Sequence, residues 1–65
     1  MIEKNDHVEI FDNSIFECMG HKVVSGTVIH VRANGEGFSF KCLQTGSVET
    51  CDLDDGKIII NGGSK

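Results

Sequence analysis

Proline, tryptophan and tyrosine are absent from this 65-residue chain, and its aromatic content is four phenylalanines. The missing rings exclude the aromatic groove that grips proline-rich peptides. A cage for a methylated ammonium group needs several clustered rings, and two of the four phenylalanines, Phe38 and Phe40, fall at core positions. Basic residues are also scarce, with 6 Lys and Arg against 10 Asp and Glu, a net charge of −4. That balance opposes attraction to nucleic acid or anionic lipid, so either function would require a local basic patch.

Long apolar runs are missing too, and residues Met1 to Asp6 lack the charged-then-apolar layout of a signal peptide, so a cytoplasmic protein is expected. Three cysteines, Cys18, Cys42 and Cys51, form an odd set in such a setting, which argues for reduced thiols over a disulfide framework. No G-x-S-x-G elbow, phosphate loop or H-E-x-x-H pair is present. A chain this short buries only roughly 60% of its unfolded surface, and its core supplies roughly 3 to 5 kcal/mol of net stability. Little apolar surface is left to line a deep reaction pocket. The expectation is a binding protein, not an enzyme.

What is present is alternation. Apolar residues fall in short period-two runs divided by turn residues, with no amphipathic helix expected. His7 to Phe11 reads as a first strand with Val8 and Ile10 on one face. Asp12 to Lys22 has no clean period and reads as a long loop that tucks some apolar side chains beneath it. Val23 to Ala33 is the longest strand-like segment, with a bend or bulge expected at Gly26. Asn34-Gly35 then signals a hairpin, with Phe38 to Gln44 as the returning strand.

A two-residue Asn34-Gly35 loop sets Val31 opposite Phe38, Ile29 opposite Phe40 and Thr27 opposite Cys42, and a four-residue loop from Asn34 to Gly37 keeps the same faces together. The inner face then holds Ile29, Val31, Phe38, Phe40 and Cys42. A second hairpin with the loop Thr45 to Val48 pairs Cys42 with Cys51, Phe40 with Leu53 and Lys41 with Asp52. Lys57 to Asn61 closes the pattern. Residues 1–61 read as one domain, and 62–65 as a flexible tail.

This layout resembles an SH3-like small β-barrel, the five-stranded antiparallel meander shared by SH3, Tudor and KOW-type domains and by small phage and prophage proteins. Asp6-His7-Val8-Glu9-Ile10 matches the opening strand, Val24 to Val31 a glycine-led second strand, and Ile58 to Ile60 the closing strand. The resemblance implies an all-β barrel with a long loop after the first strand. It also implies a KOW-like role in binding nucleic acid, while the small size, the acidity and the lack of catalytic motifs lead to the expectation of a phage or mobile-element adaptor or inhibitor docking on a host protein.

Three groups of residues are candidates for such roles. His30, Arg32 and Lys41 share the outer face of the central hairpin and suit phosphates or an acidic partner, against the blander role of a solvated mixed-charge face. Glu49, Asp52, Asp54 and Asp55 gather negative charge near the third turn, suited to a basic partner surface or to turn solubility. Cys18 and His21 have C-x-x-H spacing, and with Cys42 and Cys51 they would give the donor set of a structural zinc site. The commoner role for these cysteines is as small core hydrophobes. Val28 and Leu43, with Gly26, form an apolar strip on the outer face, expected to be covered by another strand of a bent barrel.

Overall fold

The computed structural model describes residues 2–61, so the tail expected at 62–65 lies outside the described residues. The chain order is β1 (His7–Phe11), α1 (Ser14–Cys18), β2 (Val23–Val31), β3 (Gly37–Cys42), β4 (Val48–Asp52) and β5 (Lys57–Asn61). All strand pairs are antiparallel, and the sheet order is β4-β3-β2-β1-β5. The fold is all-β with five strands, and the sheet is open. β4 and β5 each have a single neighbour and form its two edges.

β1 lies between β2 and β5 and alternates as its sequence demands. Val8 faces Gly26 and Ile60, and Ile10 faces Val24 and Ile58. Both Val8 and Ile10 are buried, as are Val24, Val28, Phe38, Phe40, Cys42 and Cys51. Burying each large member of this inner face stabilises the fold by about 1.5 to 3 kcal/mol. Phe40 is the hub: its ring centroid lies 5.9 Å from that of Phe16, edge to face, and 5.7 Å from that of Phe38.

The stretch expected as a loop after β1 contains a helix. Asn13 caps it, its Oδ1 accepting from Ile15 N–H at 3.0 Å and Phe16 N–H at 3.1 Å. Gly20, at φ 91°, ends it. The His21 N–H donates to the Phe16 carbonyl and the Gly20 N–H to that of Glu17, the paired bonds of a Schellman stop. A helix of this length is unstable alone. Phe16, buried against Phe40, holds it to the sheet, while Ile15, Cys18 and Met19 remain exposed.

The central hairpin corrects the expected register. Val31 faces Phe38 and His30 faces Ser39, but Phe40 then faces Val28, because Ile29 is an extra residue in β2. The bulge sits at Ile29 and not at Gly26, and it reverses the parity of everything before it. Val28 is therefore core and Ile29 is 41% exposed. Gly26, not Thr27, stands opposite Cys42. The loop is 33–36, closed by the Arg32 N–H donating to the Gly37 carbonyl.

The second hairpin also turns earlier than expected. The Cys42 N–H donates to the Ser47 carbonyl and the Gly46 N–H to that of Cys42, with Gly46 at φ 76°. Phe38 thus faces Cys51, Phe40 faces Glu49 and Lys41 faces Val48. The expected pairs Cys42 with Cys51, Phe40 with Leu53 and Lys41 with Asp52 do not form. The slip is by an even number of residues, so Cys51 keeps its place on the inner face. Leu53 falls beyond the end of β4 and is 40% exposed.

Candidate functional site

The basic trio of His30, Arg32 and Lys41 stays on the outer face but is not a free cationic patch. The Arg32 guanidinium reaches across β3 to Asp52, with 2.9 Å between Nη1 and Oδ1. Gly37 leaves room for that reach. It lies between the two, opposite Asp52, and a Cβ there would stand 3.1 Å from the guanidinium carbon of Arg32. Among the described residues this is the one ion pair within 4.0 Å. Lys41 is exposed between Thr27 and Val48, and His30 is exposed beside Ser39.

The four acidic candidates separate. Asp52 and Asp54 border a shallow depression, to which Glu36 adds a third carboxylate. Asp55 turns away to α1, accepting from Ser14 Oγ at 2.8 Å and from the Ser14 N–H at 3.1 Å. Glu49 stands opposite Phe40 and is half-buried. A charge on the inner side of an edge strand discourages unwanted strand pairing.

The cysteines and His21 do not converge either. Cys18 is exposed at the end of α1, whereas Cys42 and Cys51 are core residues on β3 and β4. Among the described residues no three His, Cys, Asp or Glu side chains are grouped to hold a metal ion. The Cys51 thiol donates to the Asp52 carbonyl at 3.3 Å and accepts from Asn13 Nδ2 at 3.5 Å. Burial, aided by the nearby carboxylates of Asp55 and Asp52, pushes this thiol up from 9.0 to about 11.

What the structure does assemble is a pair of joined depressions. One, of about 430 Å³, is bordered by Arg32, Glu36, Asp52 and Asp54. The other, of about 360 Å³, is apolar and lined by Ile2, Val31 and Ile60. Gly35 and Leu53 belong to both, so the two are continuous. Sequence reasoning missed this site because it brings together the chain start, the hairpin loop and the ends of β4 and β5. Of the apolar strip expected from Val28, Gly26 and Leu43 to be covered, Val28 and Gly26 are buried, while Leu43 stands exposed at 67%.

Among the described residues the sheet edges beside the depression are unpaired. The Cys42 N–H to Ser47 and Leu53 N–H to Glu36 bonds fix which β4 residues bond β3. Alternation then directs the backbone groups of Val48, Thr50 and Asp52 to the free edge. The Leu43 N–H to Ser25 bond sets the same alternation across β2 and β1, leaving Ile58 and Ile60 of β5 with outward backbone groups.

No helix among the described residues is long and apolar enough to cross a membrane. Comparison of the chain with protein-family models, curated proteins and solved structures finds no match.

Proposed function

We propose that this chain is a non-enzymatic binding module of SH3-like type that docks on a partner protein as an adaptor or inhibitor. The observation that carries the reading is the continuous depression of Gly35, Leu53, Val31 and Ile60, open to solvent at the ends of two unpaired edge strands. Open apolar surface next to free backbone donors and acceptors suits an extended protein segment, which satisfies both at once. The engagement of Arg32 by Asp52 favours a protein over a nucleic acid, since it removes one of the three cations a phosphate backbone would use.

The test is affinity capture from cells of the source organism, with the protein and its Leu53→Asp variant as parallel baits. A stoichiometric protein retained by the first and lost by the second is the expected result. Repeated capture with no stoichiometric protein contradicts the reading.

A further inference from the structure

The charge around the depression narrows the class of partner. The Arg32 and Asp52 charges offset one another at 2.9 Å. Glu36 and Asp54 face the same depression with no counter-cation within 4.0 Å among the described residues. One end of the site is therefore apolar and the other carries unbalanced negative charge, on a chain of net charge −4. Such a field repels nucleic acid, anionic lipid and a second copy of this chain. Gly35, at the junction, has open space where a Cβ would project, and with Leu53 it lines both ends.

We infer that the depression takes an extended segment of a partner protein in which a large aliphatic residue is flanked by lysine or arginine. The aliphatic side chain fills the apolar end against Val31, Leu53 and Ile60. The cation lies between Glu36 and Asp54. This inference rests on the protein-binding reading above and adds the chemistry of the segment recognised.

Two probe peptides test it by amide chemical-shift titration of the folded protein at millimolar peptide: acetyl-Lys-Val-Lys-Val-Lys-amide and its counterpart with Glu in place of each Lys. The lysine peptide is expected to shift Gly35, Glu36, Leu53 and Ile60 saturably, and the glutamate peptide to leave them unmoved. In a Glu36→Gln, Asp54→Asn variant, with unchanged spectra elsewhere, the lysine peptide should bind about fivefold more weakly, the scale of two exposed charge contacts.

Equal response to both peptides, no response to either, or shifts gathered on another face such as Ile15 and Met19 of α1 would overturn the inference. Concentration-dependent shifts of the same amides without peptide would overturn it as well, assigning the depression to a second copy. None of these results removes a partner captured through Leu53, so the two readings fail separately.

Discussion

Asn13 joins three parts of the molecule, and its replacement by alanine separates them. It is 2% exposed, caps α1 through Oδ1, and donates from Nδ2 to the Asp55 carbonyl at 3.1 Å and to the Cys51 thiol at 3.5 Å. Loss of the cap costs about 1 kcal/mol. Loss of the bond to the Asp55 carbonyl adds about 1 kcal/mol, and the weaker sulfur contact adds a fraction of that. The sum is about 2 to 3 kcal/mol, more than half of what a core this small supplies. At roughly 4 to 8 °C per kcal/mol for a domain of this size, the melting temperature should fall by roughly 10 to 20 °C. Urea and thermal unfolding followed by circular dichroism read this directly. Asn13→Ser, which keeps the capping oxygen and loses the donor, should fall between the two. An Asn13→Ala midpoint within about 0.5 kcal/mol of the parent, the range of an ordinary surface change, would refute the reasoning.

The Ile29 bulge makes neighbouring residues unequal. Val28→Ala should cost about 2 kcal/mol and Ile29→Ala less than about 1 kcal/mol, and the reverse order in urea unfolding would mean a regular ladder with Ile29 inside. Cys51 ties stability to alkaline pH. Its folded pKa of about 11 lies above the ordinary 9.0, so the fold favours the protonated thiol. Its contribution is complete below pH 9 and is lost as pH rises toward 11, on the order of 2 kcal/mol in all. Comparison with Cys51→Val should show a shallower alkaline loss in the variant, and parallel curves would contradict the assignment.

Much of the sheet is legible in the sequence. β1 and β5 are bounded by turn residues, and the strict alternation of Val8 and Ile10 admits one inner face. Face parity in the β3–β4 hairpin also survives, because a register slip of four residues leaves Phe38, Phe40, Cys42 and Cys51 on one side. Register is less legible. The bulge at Ile29 depends on how β2 crosses β3, and no residue type in Val23–Val31 announces it. The helix did leave a local signal, Asn13 at its start and Gly20 at its end, but both residues are equally turn formers.

The candidate site was the least legible part. Its residues come from four separate stretches, and its charge depends on the Arg32 and Asp52 pair. That pair passes over Gly37, where a Cβ would press on the guanidinium at 3.1 Å. Pairing Asp52 with Lys41 follows from a four-residue hairpin loop set two residues too late in the chain, which exchanges the roles of Lys41 and Arg32: Arg32 is the engaged cation and Lys41 the exposed one.

Amide hydrogen exchange, read residue by residue together with cross-strand nuclear Overhauser effects, tests most directly whether β4 and β5 are free edges with an open depression between their ends. The amides of Val48, Thr50, Asp52, Ile58 and Ile60 should exchange fast, while those of Glu49, Cys51 and Ile59 are protected, and no backbone contact should join β4 to β5. Protection of the first set, with Overhauser effects between the two strands, would mean a closed barrel in which the proposed binding surface does not exist.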